Sequence, residues 1–154
     1  MRISAGTAKG RKTATAKLLS RKQSGERLRP TSSRVREALF DIVRNRLQGA
    51  HFVDLYAGSG TVGLEAVSRG AGKATFVEPD TFRAEIIKKN AVEFGFGDRA
   101  EVVRTNARIF LERAASGRKH FDIMFLDPPY QSDEIEQVLP LIGGGEILRD
   151  DGVV

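Results

Sequence analysis

The sequence predicts an α/β fold in which a mainly parallel sheet carries helices on both faces. Two observations lead to this prediction. After Gly49, short apolar runs alternate with longer amphipathic runs, and parallel strands require such crossover segments between them. The first apolar run leads directly into a glycine-rich loop, D-L-Y-A-G-S-G, from Asp54 to Gly60. A loop of this kind forms the first strand-to-helix turn in many α/β sheets that bind ligands.

The individual elements follow from the apolar periodicity. Four apolar runs are predicted as strands, at residues 51–56, 74–77, 100–104 and 121–126. The amphipathic runs predict helices at residues 61–69, 81–94, 107–115 and 133–142. Gly70 and Gly95 follow two of these helices, where glycine commonly forms the left-handed C-terminal cap. Residues 152–154 are predicted to open a fifth strand.

A further helix is predicted between Pro30 and Gly49. Hydroxyls for its N-cap are offered by Thr31, Ser32 and Ser33. The side chains expected to face the core recur at helical spacing, and they are Val35, Leu39, Ile42, Val43 and Leu47. The opposite face would present basic side chains to solvent or to RNA, namely Arg34, Arg44 and Arg46.

One domain is expected, because 154 residues with 40% hydrophobic content suffice for one core and are too few for two ordinary ones. We divide the chain into a basic N-terminal arm, residues 1–29, which is extended or forms a short hairpin, and an α/β domain, residues 30–154. No apolar run approaches the roughly 20 residues that cross a bilayer. Cysteine is absent, which excludes disulfides and thiolate zinc sites. We expect a cytoplasmic protein and a monomer.

Positive charge is concentrated in the first third of the chain. Residues 1–46 hold 13 basic and 3 acidic residues, net +10, whereas the remaining 12 basic and 17 acidic residues sum to −5. This asymmetry indicates a surface that binds a polyanion such as RNA. A solvated basic tail without a ligand is the alternative interpretation.

The glycine loop fits two classes of cofactor. Gly58, Gly60 and Gly63 form a G-x-G-x-x-G pattern, which occurs in dinucleotide-binding turns and also in turns that bind nothing. Asp54 suits a ligand with sulfonium and ammonium charges, whereas it would repel the pyrophosphate of NAD. Glu78, 20 residues after Gly58, stands where an acid would bind ribose hydroxyls. S-adenosylmethionine is therefore the predicted cofactor, and its predicted loop contacts are Asp54, Tyr56, Ala57, Gly58, Ser59 and Gly60.

Each polar residue of this predicted cofactor site also has a purely structural interpretation. Asp54 would then cap the loop, and Glu78 would be a solvated acid at the end of a strand. Asn106 follows the third predicted strand, where its carbonyl oxygen is predicted to accept a hydrogen bond from the adenine amino group. It is equally well placed to be the N-cap of the helix that begins at Ala107.

The tetrapeptide from Asp127 to Tyr130, D-P-P-Y, follows an apolar strand directly. Pro128 and Pro129 fix the backbone and remove two donors, so the carbonyls face outward at the ligand-binding edge of the sheet. Asp127 and the Pro128 carbonyl would accept hydrogen bonds from an exocyclic amine, and Tyr130 would stack on its base. This pattern predicts methylation of a base amine. The alternative is a rigid turn without a ligand.

The sequence gives no support to metal catalysis. No H-x-x-x-H or clustered-carboxylate spacing supports a metal site. The histidines His51 and His120 lie at predicted strand starts and are interpreted as structural.

The sequence resembles the bacterial family of 16S ribosomal RNA guanine-N2 methyltransferases along nearly its whole length. The resemblance rests on five segments: M-R-I-S-A-G-T-A-K-G-R at the start, R-P-T-S-S-R-V-R-E-A-L-F-D-I-V from residue 29, D-L-Y-A-G-S-G, F-V-E-P-D and F-L-D-P-P-Y. It implies a Rossmann-like class I methyltransferase fold and N2-methylguanine in the small ribosomal subunit as product. It also implies that Thr31 lies at the cofactor and that RNA is contacted by Lys9, Arg11, Lys12, Arg29 and Arg36.

Three features depart from the family pattern. Ser33 stands where the family usually has aspartate, and Asn106 replaces an acid. The family's fold normally continues beyond a fifth strand, so we expect the C-terminal strands to be missing. Three other functions stay open on the sequence alone: adenine-N6 methylation, which uses the same tetrapeptide, a non-catalytic RNA-binding module, and an NAD-dependent oxidoreductase.

Overall fold

A parallel sheet forms the centre of the molecule. The computed structural model describes residues 1–13, 32–129, 133–144 and 146–154, and within them five parallel strands lie in the order β3-β2-β1-β4-β5. The strands are β1 His51–Asp54, β2 Lys73–Val77, β3 Ala100–Val103, β4 Phe121–Phe125 and β5 Leu148–Val153. The helices are α1 Ser33–Ile42, α2 Arg44–Leu47, α3 Thr61–Ser68, α4 Thr81–Glu93, α5 Ala107–Ser116 and α6 Glu134–Gly144. The predicted α/β architecture is confirmed.

Helices cover both faces of the sheet, because successive strand side chains point to opposite sides. Phe52 packs among side chains of α1 and α3, whereas the adjacent Val53 packs with α5 and α6. Gly63 of α3 lies directly on the ring of Phe76, and a Cβ added to Gly63 would come within 2.3 Å of that ring. The third glycine of the motif therefore permits close packing of helix on strand.

Residues 1–13, which we call the N-terminal hairpin, fold back on themselves. Arg2 and Lys12 form an antiparallel bridge, and Ile3 is buried against the sheet core. The amide of Thr7 donates to the carbonyl of Ser68, the last residue of α3, at 2.8 Å. The described part of the predicted arm is therefore a packed hairpin. The predicted boundary between residues 29 and 30 lies outside the described residues.

The helix before β1 differs from its prediction in two ways. It is interrupted at Val43, where the backbone turns (φ −90°, ψ 4°) between α1 and α2. The predicted core face is also partly wrong, since Val35 and Ile42 are 55% and 79% exposed whereas Arg36 and Phe40 are buried. The helix is rotated relative to the prediction for two reasons. Phe40 packs near Phe52, with ring centroids 6.3 Å apart, and Arg36 lies 3.1 Å from the buried carboxylate of Glu65 in α3.

Other boundaries agree closely with the predictions. Ser32 caps α1 by accepting from the amide of Val35, and Gly70 and Gly95 have positive φ after α3 and α4. The fifth strand begins at Leu148 and not at Gly152, because an edge strand paired only with β4 tolerates the exposed side chains of residues 149–151. Within the described ranges, no helix combines the length and apolar character needed to cross a membrane.

Candidate active site

The site lies where the strand order reverses, between β1 and β4. β2 and β3 lie on one side of β1, and β4 and β5 lie on the other. Asp54, the last residue of β1, is in register with Phe125, and the amide of Leu55 donates to the carbonyl of Phe125 at 3.0 Å. The glycine loop and the residues after β4 therefore leave the sheet side by side. Ligands bind at such a reversal point in open α/β sheets.

The glycine loop turns sharply from β1 into α3. Gly58 and Gly60 both have positive φ, 52° and 72°, a conformation that glycine adopts without strain. A Cβ on Gly60 would lie 2.8 Å from Ile87, so even alanine would disturb the contact between the loop and α4. The Ser59 and Thr61 hydroxyls are 2.9 Å apart, and Ala57 donates to the carbonyl of Val77 at the end of β2.

Asp54 is buried beneath this loop. Its side chain is 1% exposed and accepts a hydrogen bond from the amide of Gly63 at 3.3 Å. Burial raises the pKa of Asp54 to about 7, and the nearby charges of Glu78 and Asp127 add to the rise, while amide donors oppose it. A bound cation would offset the cost of this buried negative charge.

Glu78 lies just after β2 and faces the same loop. One carboxylate oxygen accepts from the amide of Gly58 at 2.8 Å, and the other accepts from the amide of Asp80 at 2.9 Å. Burial raises the pKa of Glu78, although these amides and Arg83 oppose the rise. Glu78 is thus a positioned acceptor tied to the glycine loop and not a solvated acid.

A hydrogen bond joins the glycine loop to helix α6. The hydroxyl of Tyr56 donates to Glu134 Oε2 at 2.8 Å, and Glu134 is the first residue of α6. Burial, followed by this contact with a carboxylate, raises the pKa of Tyr56. The glycine loop is therefore tied to the helix that follows the D-P-P-Y tetrapeptide.

The described part of that tetrapeptide stands open at the edge of the sheet. Asp127 and Pro129 are exposed and Pro128 is half-buried, so the Asp127 carboxylate is accessible to a base. Tyr130 lies outside the described residues, and its stacking role stays a prediction. His51 lies at the start of β1, at the opposite edge of the sheet, where its ring contacts the Thr75 hydroxyl at 2.8 Å.

Asn106 is engaged as a helix cap. Its side-chain oxygen accepts from the amide of Ile109 at 2.9 Å, which bears out the structural alternative, while its role at an adenine ring stays a prediction. Thr31 lies outside the described residues. In the described portion of the chain, no three His, Asp or Glu side chains are grouped closely enough to hold a metal ion.

The basic residues predicted to contact RNA have different surroundings. Lys9 and Lys12 are exposed on the N-terminal hairpin. Arg11 is exposed too, but its guanidinium lies 4.8 Å from the ring centroid of Phe94 and donates to the Glu93 carbonyl. Arg29 lies outside the described residues.

The assignment of Arg36 to the RNA surface must be corrected. Its side chain is 3% exposed and lies 3.1 Å from Glu65, which is fully buried. An RNA phosphate cannot reach a guanidinium in this position, so Arg36 acts within the protein. Sequence reasoning missed Glu65 and Glu134. Glu65 had one signal, since it is the single charged residue of helix α3, whose other residues are apolar or carry hydroxyls.

Comparison of the sequence with known proteins identifies a family model and several methyltransferases that are similar to this chain. The family model described as conserved hypothetical protein 95 matches residues 1–154. The ribosomal RNA small subunit methyltransferase D of Haemophilus influenzae is 35% identical over 100% of this chain and 76% of its own length. The Escherichia coli protein of that name is 39% identical over 82% of this chain and 62% of its own length.

A solved structure from Escherichia coli, named "Putative methyltransferase yhhF", matches with a TM-score of 0.81 and 31% identity. The match covers 99% of this chain and 78% of that one. A methyltransferase is indicated by the sheet order, by the loops at its reversal point and by the names of the matched proteins. The chain therefore belongs to the family described as conserved hypothetical protein 95 and is a methyltransferase with the class I α/β fold.

Proposed function

We propose that this chain transfers a methyl group from S-adenosylmethionine to the N2 amine of a guanine in 16S ribosomal RNA of the small subunit. The observation that carries the proposal is the placement of Asp127 and Pro128 beside the glycine loop, at the reversal of strand order. The relatives named as small subunit methyltransferases support the RNA substrate. The exposed lysines of the N-terminal hairpin suit its phosphates.

The residues around the glycine loop fit S-adenosylmethionine. Glu78 is held by two amides at the end of β2, where its oxygens suit ribose hydroxyls. Asp54 is a buried acid with a raised pKa, and a cationic ligand would stabilise its charged form. The positive φ of Gly58 and Gly60 lets the loop turn sharply at the ligand-binding edge of the sheet without strain. When bound, this cofactor supplies an electrophilic methyl group on a positively charged sulfur.

The chemistry of the amine explains why Asp127 and Pro128 are required. The nitrogen lone pair of a guanine amine is delocalised into the ring, which makes it a poor nucleophile. Hydrogen bonds from the two N–H groups to the Asp127 carboxylate and the Pro128 carbonyl would localise that pair toward the methyl group. The nitrogen–carbon bond would form as the carbon–sulfur bond breaks, and the positively charged nitrogen would then lose a proton to water. A strong base is therefore unnecessary.

Nucleoside analysis of the methylated product tests this proposal. Purified protein and labelled S-adenosylmethionine are incubated with small ribosomal subunits that lack the modification, and the RNA is digested. We expect label in N2-methylguanosine. Label in N6-methyladenosine would replace guanine by adenine as the target, and unlabelled RNA with retained RNA binding would favour a non-catalytic module.

The role of Asp127 is tested by the Asp127→Ala substitution. We expect methyl transfer to fall by at least about 100-fold, because removing one transition-state hydrogen bond costs that much in comparable sites. Cofactor affinity should stay within a few-fold, since the partner of Asp127 is the base. An equally large loss of cofactor binding would show that Asp127 belongs to the cofactor site.

A further inference from the structure

A group of polar and charged side chains is centred on the buried Glu65 of helix α3, and we call it the Glu65 cluster. It consists of Glu65, Arg36, Arg69 and Ser4. Arg36 Nε lies 3.1 Å from Glu65 Oε2, and Arg69 donates to Glu65 Oε1 from two nitrogens at 2.8 and 3.0 Å. The Ser4 hydroxyl donates to the same Oε1. The carboxylate of Glu65 is thus surrounded by donors.

The cluster joins three segments that are far apart in sequence. Glu65 belongs to α3, which begins directly after the glycine loop, and Arg36 belongs to α1. Ser4 belongs to the N-terminal hairpin, and Arg36 also donates to the hairpin carbonyl of Arg2 at 3.1 Å. Arg69 donates to the Ser4 hydroxyl at 3.0 Å and lies 4.6 Å from the ring centroid of Phe40 in α1.

Directional bonds distinguish this cluster from ordinary apolar packing. A buried charge group is often no more stabilising than apolar side chains of similar volume, but it permits few alternative arrangements. Burial alone would raise the pKa of Glu65, yet the hydrogen bonds from Ser4, Arg69 and Arg36 outweigh it and lower the pKa. Glu65 therefore stays charged, and each of its donors has a defined place.

We infer that Glu65 is a positioning residue, which fixes the N-terminal hairpin and its exposed Lys9 and Lys12 relative to the glycine loop. The inference rests on the proposed function. RNA bound by the hairpin is then held at a set distance from the methyl donor, because hairpin and loop attach to the same short helix α3. Glu65 is fully buried, so it acts through the residues it holds.

The Glu65→Gln substitution tests this role with small subunits as substrate. Glutamine keeps the size of the side chain but loses the charge, so one of Arg36 and Arg69 keeps an acceptor oxygen while the other faces the amide nitrogen, a donor. We expect the KM for subunits to rise at least about tenfold, while kcat and the Kd for S-adenosylmethionine stay within about threefold, the pattern of lost substrate positioning. The matched control is Glu112→Gln, which removes an exposed pair with Arg108 on α5 and should change none of these values.

A second pair of variants tests the position of the hairpin without changing any charge. Gly6 has φ +80°, and a Cβ there would lie 1.8 Å from the Ser68 carbonyl oxygen, a backbone atom of α3. Gly10 has nearly the same φ, +81°, and a Cβ there meets nothing within 4 Å. Gly6→Ala and Gly10→Ala therefore carry similar backbone strain, but only Gly6→Ala pushes the hairpin from α3. We expect the KM for subunits to rise in Gly6→Ala and to stay within about threefold in Gly10→Ala.

The outcomes separate positioning from simple stability. An unchanged KM in folded Glu65→Gln and in Gly6→Ala, with only a lower melting temperature, would overturn the inference. A loss of cofactor affinity equal to the rise in KM would overturn it too, because the cluster would then serve the cofactor pocket. Wild-type protein in the same assay tests the proposed function. If it forms no N2-methylguanosine, the affinity of each variant for subunits, measured by direct binding, decides the inference.

Discussion

The pH dependence of stability directly tests whether burial raises the pKa of the Asp54 carboxyl. Burial raises its pKa from an ordinary 3.8 to about 7. The folded chain therefore binds a proton at Asp54 more tightly than the unfolded chain does. By linkage, the Asp54 contribution to the free energy of unfolding falls as pH rises from about 4 to about 7, and it is constant above that range.

The size of the effect follows from the pKa change. One pKa unit corresponds to about 1.4 kcal/mol, so ionised Asp54 should cost the folded chain about 4 kcal/mol above pH 7. The Asp54→Asn substitution removes the charge and keeps an oxygen that accepts from the amide of Gly63. We expect this variant to be more stable than wild type by up to about 4 kcal/mol at pH 8, and the difference to shrink toward zero near pH 4.

Denaturant unfolding of the ligand-free protein at several pH values between about 5 and 8 measures this difference. Comparison with wild type cancels the titration of groups that do not interact with Asp54. Asp98→Asn, at an exposed position in the short 3₁₀ helix Gly97–Arg99 before β3, is the matched control for the loss of an aspartate carboxylate at the surface. A pH-independent gap between Asp54→Asn and wild type, or a variant less stable at every pH, would refute the reasoning.

Three further predictions concern the cofactor, the two loops and the RNA surface. S-adenosylmethionine should bind with release of a proton near pH 7, because its positive charge lowers the pKa of Asp54. Calorimetry in buffers of different ionisation enthalpy would detect the released proton, and a heat of binding that is the same in every buffer would contradict the prediction. Tyr56→Phe should lower stability by about 1 kcal/mol through loss of the bond to Glu134, and a denaturant midpoint equal to that of wild type would contradict this. Lys9→Glu with Lys12→Glu should weaken RNA binding and flatten its salt dependence, whereas an unchanged salt slope would remove the N-terminal hairpin from the interface.

Local patterns made much of the fold predictable. Strand and helix positions agree closely with the apolar periodicity, since a buried strand and an amphipathic helix each require a characteristic spacing. The shared edge of the glycine loop and the D-P-P-Y tetrapeptide was also predictable, because parallel strands end at the same edge of a sheet. Neither prediction depended on a contact between distant residues.

Distant contacts explain the errors in α1. Val35 and Ile42 are apolar and correctly spaced, yet they are exposed, and Arg36 is buried in their place. Spacing alone does not distinguish two neighbouring stripes of one helix. The choice depends on what lies opposite, here Phe52 of β1 and Glu65 of α3.

The sequence by itself determined the fold class, the order of the elements and the chemical character of the two loops, because these depend on local spacing and on residue types such as Asp127 and Pro128. Only the tertiary structure decided which charged residues are exposed and which face each other. Arg36 and Lys9 look alike in the sequence, but one is paired with Glu65 in the interior and the other is exposed on the N-terminal hairpin. The physical reason is that burial of a charge requires a partner, and the partner of Arg36 lies 29 residues away along the chain.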